Sequence, residues 1–170
     1  MAGRITQERL QPALLDRLVD DNPERKQEAR DESLIDRQRL YAAVLRDLEW
    51  LFNSTRYSGA EELEGFEYVQ RSVLNFGLPA LSGETASTLD TMEVEQRIRQ
   101  AILDFEPRIV PASLQVQALS TAALLDQHNI VSIQIRGHLW GNPAPLELLL
   151  QTDLDLETGA VEIRDLAMNR

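Results

Sequence analysis

The sequence has no cysteine, and its 170 residues include only two histidines. The absence of cysteine excludes disulfides, thiolate nucleophiles and cysteine-ligated zinc or iron–sulfur centres. Because small secreted domains often carry disulfides, it also favours a cytoplasmic protein. The apolar run at residues 146–150 is far shorter than the roughly 20 residues that cross a bilayer. The opening stretch MAGRITQERL lacks the apolar core of a signal peptide. We therefore expect a cytoplasmic protein without direct membrane insertion.

Positive charge is scarce, because the formal net charge is −11. Residues 1–56 carry ten Lys or Arg and eleven Asp or Glu, whereas residues 57–170 carry seven and seventeen. Nucleic acids and anionic membranes are both bound through Lys and Arg, so neither is an expected partner. The acidic part is either a simple solvated surface or a surface that selects a basic protein partner.

Motifs that carry chemistry are also missing. His128 and His138 lie ten residues apart, without the HxH or HExxH spacing that would bring two ligands to one metal. A zinc site needs three or four convergent ligands. The sequence has no GxSxG elbow, P-loop or dinucleotide-binding glycine motif. We therefore predict no cofactor, no metal and no catalytic residue.

Glu106 is the carboxylate with the most distinctive surroundings, between Phe105 and Pro107 and two residues before Arg108. A glycosidase acid needs a raised pKa, whereas a neighbouring guanidinium favours the ionised carboxylate. Pro107 fixes φ, so the side chains of Glu106 and Arg108 should leave this corner in defined directions. Arg108 can bind a carboxylate through two parallel hydrogen bonds. Two interpretations stay open: an internal brace at a helix end, or a contact with a partner.

Apolar residues in the first part of the chain have helical spacing. Residues 10–18 indicate a short first helix, and the charged residues 20–32 indicate a linker or an exposed helical segment. Ser33 is placed to cap a long amphipathic helix that ends near Asn53.

Two further helices are expected before the strands begin. A third apolar stripe spans residues 66–76, and Gly77 stands where a left-handed residue would end that helix. Thr88 or Asp90 can cap a fourth helix, which Pro107 bars from continuing.

From residue 114 onward, apolar and polar residues alternate, as is typical of strands with one buried face. The four strand candidates are residues 114–118, 131–136, 146–156 and 161–164. Helices followed by strands predict an α+β fold, with N-terminal helices packed on one face of a mainly antiparallel C-terminal sheet of about four strands. Residues 1–32 would form an N-terminal helix and linker, and residues 33–170 a single domain.

Four ordered segments resemble one known family. They are LLDRL at 14–18, DLEWLFNSTR at 47–56, SVLNFGLP at 72–79 and ILDFEPR at 102–108. Together they resemble TssE, a baseplate component of bacterial type VI secretion systems. The wider family includes a baseplate wedge protein of contractile phage tails and has carried a "lysozyme-like" label. Ser54 and Ala80 depart from the usual pattern.

The resemblance implies a structural role rather than an enzymatic one. TssE-like proteins lie in the wedge with TssF, TssG and TssK, in the cytoplasm at the inner membrane of Gram-negative bacteria, where the contractile sheath begins. The resemblance implies that Glu106, Pro107 and Arg108 bind a partner. It also implies that the sheet joins the first sheath ring, and strand addition is a physical route to such a junction. The alternatives are a cytoplasmic binding adaptor of the same fold and a peptidoglycan hydrolase.

Overall fold

The computed structural model describes residues 13–18, 37–57, 63–80, 90–119, 130–141 and 145–166. The predictions for the linker at residues 20–32, for the caps Ser33 and Thr88 and for His128 lie outside these ranges. The division between residues 1–32 and 33–170 therefore stays a prediction.

The described elements follow the predicted order of helices and then strands. The helices are α1 (Leu14–Leu18), α2 (Arg37–Phe52), α3 (Glu67–Gln70) and α4 (Thr91–Phe105), with 3-10 turns at Val73–Asn75 and Pro111–Ser113. The strands are β1 (Gln115–Ala118), β2 (Ile130–Leu139), β3 (Leu146–Asp155) and β4 (Val161–Asp165). They form one antiparallel sheet in the order β1-β2-β3-β4, which confirms the α+β class.

The two long helices begin and end where local chemistry favours it. The Asp90 carboxylate accepts hydrogen bonds from the backbone N–H groups of Met92 and Glu93 at 2.9 and 3.4 Å, which satisfies donors that an uncapped helix leaves unpaired. Helix α4 stops at Phe105, two residues before Pro107. The predicted end of α2 near Asn53 is also confirmed.

One face of the sheet carries the core. Val116 pairs with Ile135, which pairs with Leu150, so these three buried side chains form one row across the strands. Gln117, Gln134 and Gln151 form the neighbouring row on the opposite face. Helix α4 contacts β1 and α2 contacts β4, and the buried residues of both helices join those of the sheet in one cluster. The helices therefore cover the apolar face, as predicted.

The prediction of one continuous third helix is wrong. Helix α3 ends after one turn, and Ser72 adopts an extended conformation with φ −88° and ψ 163°. Its hydroxyl accepts a hydrogen bond from the Leu74 N–H, which starts a new 3-10 turn. Phe66 and Val73, which a single helix would turn to the core, are 63% and 82% exposed.

Gly77 lies at a close contact between two chain segments. Its φ is +121°, and an added Cβ would lie 2.2 Å from the Ser54 carbonyl oxygen. Leu78 N–H donates to the Ser54 carbonyl at 2.8 Å, and Arg56 N–H donates to the Leu78 carbonyl at 2.9 Å. Only glycine permits both this conformation and this approach.

We expect Gly77→Ala to destabilise the fold by more than positive φ alone explains. The matched control is Gly159→Ala, because Gly159 has φ +74° but no atom within 4 Å of an added Cβ. The control should cost about 1–2 kcal/mol of unfolding free energy, and Gly77→Ala clearly more, because backbone must move. Urea unfolding of both variants measures the difference, and equal losses would contradict the close contact.

Candidate partner-binding site

The Glu106 carboxylate is buried at the end of α4, with its side chain only 3% exposed. Its Oε1 accepts hydrogen bonds from the backbone N–H of Arg108 at 3.0 Å and from the Arg108 Nε at 2.7 Å. Its Oε2 accepts from the Arg108 Nη2. Both oxygens therefore accept hydrogen bonds from one arginine. Glu106 and Arg108 have the geometry of an internal brace.

Asp47 connects this brace to α2. Arg108 Nη2 also donates to Asp47 Oδ2 at 2.5 Å, so one guanidinium joins two carboxylates from different helices. Asp47 Oδ1 accepts from Arg46 Nε and Nη2 at 3.0 and 2.8 Å. The ends of α2 and α4 are thereby tied together by charge-assisted hydrogen bonds, which are stronger than neutral ones.

Arg46 extends the network to α1. Its Nη1 donates to Asp16 Oδ1 at 2.5 Å, and its guanidinium lies 5.1 Å from the ring centroid of Trp50, within cation–π range. We call the five residues Asp16, Arg46, Asp47, Arg108 and Glu106 the ion-pair chain. Negative and positive groups alternate along it from α1 to the start of the sheet.

The electrostatics of the ion-pair chain keep its arginines charged. Burial by itself lowers the pKa of Arg108, but the hydrogen bonds and negative charges of Glu106 and Asp47 outweigh burial and raise it. The hydrogen bond to Asp16 likewise raises the pKa of Arg46. Such a network positions groups and recognises charge.

The backbone after Glu106 is fastened to the end of β2. Trp140 N–H donates to the Arg108 carbonyl at 2.7 Å, and Val110 N–H donates to the His138 carbonyl at 2.8 Å. Ile109 between them is 2% exposed. Pro107 stays exposed at the turn. The corner therefore presents Pro107 outward while its flanking charges are held beneath it.

A groove lies beside the corner, with a volume of about 210 Å³. Its apolar walls include Trp50, Phe76 and Phe105, and the last two rings meet edge to face with centroids 5.2 Å apart. Arg108 also lines the groove, and its buried Nη1 has no hydrogen-bond partner within the described residues. Apolar walls with a few charged residues beside them suit a side chain that carries both apolar surface and a polar group.

The two edges of the sheet form a second candidate site. In antiparallel pairing, alternate residues direct their N–H and C=O groups away from the neighbouring strand. At Val161 of β4 these outward groups bond Asn53, whose Nδ2 donates to the Val161 carbonyl and whose Oδ1 accepts the Val161 N–H, both at 3.0 Å. On β1, Glu95 accepts the Ala118 N–H at 2.7 Å.

The outward groups of Ile163, further along β4, have no hydrogen-bond partner in the part of the chain that the structure describes. Unpaired outward backbone groups are what an added strand bonds.

The structure brings Glu106 and Arg108 together as the sequence indicated, and it adds three residues that sequence reasoning missed, Asp16, Arg46 and Asp47. Asp47 begins the DLEWLFNSTR segment, but its pairing with Arg108 spans 61 residues, so no local pattern pointed to it. Arg46 was missed for the same reason.

Neither a metal-ligand cluster nor a membrane-length helix is present in the part of the chain that the structure describes. His138 is exposed on β2, and the described ranges contain no group of three or more metal-ligating side chains. Over the same ranges, no helix has the length and apolar character that a transmembrane span requires.

We expect Arg108→Ala to lower the melting temperature by about 10 °C, because removing one member of a buried pair costs about 3–5 kcal/mol. Arg108→Lys should restore little, since lysine lacks the planar fork. The control is Arg136→Ala, because Arg136 is exposed and bonds only Gln134 in the described structure. Thermal melts that coincide for Arg108→Ala and Arg136→Ala would show that the brace contributes nothing.

Residues 38–144 match the family described as baseplate wedge protein gp25. Comparisons with curated proteins and with solved structures gave no match. The matched range is more than half of the chain and contains nearly all of α2, the whole of α4, the Glu106–Arg108 corner and β2. The family resemblance drawn from the four ordered motifs is thereby confirmed, and the chain belongs to the baseplate wedge protein gp25 family, whose members are structural proteins.

Proposed function

We propose that this protein is a structural wedge subunit of a type VI secretion baseplate, which links the wedge to the first ring of the contractile sheath. The observation that carries the proposal is the ion-pair chain beneath the exposed Pro107. It builds a rigid corner and an apolar groove from the DLEWLFNSTR and ILDFEPR segments that resemble TssE. On this proposal the protein works in the cytoplasm, at the baseplate bound to the inner membrane of a Gram-negative bacterium.

The wedge proteins TssF, TssG and TssK are the proposed partners of the corner. Glu106 and Arg108 would act by holding Pro107 and the groove in place, and Arg108 would form part of the groove wall that meets the arriving side chain. Trp50 is 50% exposed at the groove, and a tryptophan in such a position is a typical anchor of binding energy.

The edge of β4 is the proposed junction with the sheath. On β1, the side chain of Glu95 from α4 covers the Ala118 N–H. On β4, Asn53 covers only Val161. The Ile163 backbone is the point at which we propose that a strand from a sheath subunit adds to the sheet.

An enzymatic role has little support in this geometry. Glu106 would be the candidate catalytic carboxylate of a hydrolase, but both of its oxygens accept hydrogen bonds from Arg108. A general acid needs a protonated carboxyl directed at its substrate. We therefore propose that the protein is not a peptidoglycan hydrolase despite the "lysozyme-like" label of its relatives.

Trp50→Ala should reduce co-purification with TssF and TssG by about tenfold or more, as expected for loss of an aromatic anchor. Trp140→Ala is the matched control, because Trp140 is similarly exposed, at 62%, but does not line the groove. Both variants should melt close to the wild type. Normal recovery of the wedge by Trp50→Ala would rule out the groove, and failure of the wild type to bind any wedge protein would reject the secretion role in favour of a free-standing adaptor.

Substitutions at Ile163 test the sheath junction. Ile163→Pro removes the outward N–H, whereas Ile163→Ala removes side-chain packing and keeps that N–H. We expect the proline variant alone to lose co-sedimentation with assembled sheath, while both variants still bind the wedge. Equal co-sedimentation by the two would show that β4 is not the joining edge.

A further inference from the structure

Arg56 lies in the segment that approaches Gly77, and its side chain is partly buried without a hydrogen-bond or ion-pair partner among the described residues. Its backbone N–H bonds the Leu78 carbonyl, which fixes where the side chain starts. The Arg56 Nε is buried and makes no hydrogen bond within the described residues. Burial, and then the positive charge of Arg97, lower the pKa of Arg56. A cation that is partly removed from water and lacks an anion is unfavourable, so such groups are normally paired.

Two more arginines lie along the same side of α4. Arg97 is close enough to Arg56 for its positive charge to lower the pKa of Arg56. Arg97 also pairs with Glu93 at 2.5 Å. Arg71 approaches Asp104 at 3.7 Å. Arg97 and Asp104 are seven residues apart and therefore lie on one side of the helix, separated by about 10 Å. We call Arg56, Arg97 and Arg71 the arginine strip.

The arginine strip gathers basic side chains in a chain that has few of them, and its three arginines face only two carboxylate partners. Residues 57–170 contain only seven basic residues against seventeen acidic ones, yet the strip includes two of the seven. Arg97 and Arg71 each have a carboxylate partner on α4, whereas the described structure gives Arg56 none. The strip therefore offers a local site for one further carboxylate on a protein whose net charge is strongly negative.

Exposed apolar side chains lie close in sequence to the strip. Tyr57, directly after Arg56, is 88% exposed, and Tyr68, three residues before Arg71, is 94% exposed. Leu74, on the way from Arg71 to the Gly77 contact, is 76% exposed. Single exposed apolar residues are ordinary, but arginines accompanied by tyrosines are the composition of interface hot spots.

We propose that the arginine strip binds an acidic segment of a partner protein. One carboxylate of that segment pairs with the Arg56 guanidinium, and an adjacent apolar side chain packs against the exposed tyrosines. Nucleic acid is a poor alternative because of the overall acidity of the chain. The inference does not depend on the partners proposed for the corner or the β4 edge. Glu61 and Glu62 of the same chain are the competing occupants.

The test follows the Arg56 Nε–Hε resonance by nuclear magnetic resonance of the full chain labelled at arginine. The probe is an acetylated hexapeptide that alternates glutamate and leucine, and the control peptide has glutamine for glutamate. We expect the acidic peptide to shift the Arg56 and Arg97 resonances and the control peptide to leave them in place. An unchanged Arg56 resonance at saturating peptide would overturn the proposal.

Matched variants separate a specific site from simple attraction of charge. Arg56→Gln and Arg56→Lys should each weaken peptide binding by about tenfold, because neither can present the guanidinium donor to the carboxylate. Arg99→Gln makes the same change of charge at an exposed position on another side of α4, and it should change affinity less than about twofold. Equal losses for Arg56→Gln and Arg99→Gln would reject the site.

The variant Glu61→Gln/Glu62→Gln identifies the competing occupant. If it shifts the Arg56 resonance without peptide, and if peptide binds only this variant, the chain's own carboxylates fill the site and the proposal fails. If the double variant and the wild type bind the peptide equally, the site is open to a partner. These peptide experiments use the isolated chain, so their outcome does not depend on whether the protein binds a wedge complex.

Discussion

The structure depends on one guanidinium that is shared by two carboxylates. Arg108 holds Glu106 at the end of α4 and Asp47 on α2, while its carbonyl accepts the Trp140 N–H at the end of β2. Three elements that are distant in sequence therefore meet at one side chain. Replacing such a network by apolar residues often keeps or raises stability. Its advantage here is direction, because hydrogen bonds fix an angle between helix and sheet that apolar contacts would leave looser.

The same arrangement explains how a proline corner acquires a defined shape. Pro107 restricts only its own φ, and the buried Glu106 beneath it prevents the turn from moving away from the helix end. Trp50 lies over Arg46, so the aromatic wall of the groove is tied to the same ion-pair chain. The aromatic wall, the Pro107 corner and the Arg108 guanidinium are consequently linked. Removing any charge in the ion-pair chain should therefore alter the positions of all three.

Much of the fold followed from local patterns in the sequence. The alternation at residues 131–136 and the cap at Asp90, one of two cap residues that the sequence offered, each contain their own physical cause. The third helix was not predicted correctly, because Ser72 competes for the backbone and the apolar stripe across it faces solvent. The pairing of Asp47 with Arg108 and the orphaned Nε of Arg56 arise from packing between distant segments, which no local period records. Sequence therefore located the corner but left open whether its charges faced inward.

Asn53 gives the β4 edge a fixed end. With both outward groups of Val161 already taken by the Asn53 amide, a strand that slid two residues in that direction would meet no free donor or acceptor. A slip of one residue would turn its apolar side chains to the wrong face. The Asn53 amide therefore limits where an added strand can lie, and it sets the same limit in every copy of the protein. In a closed ring, where each contact must repeat identically around the axis, a small side-chain amide would thus limit the level of the whole layer.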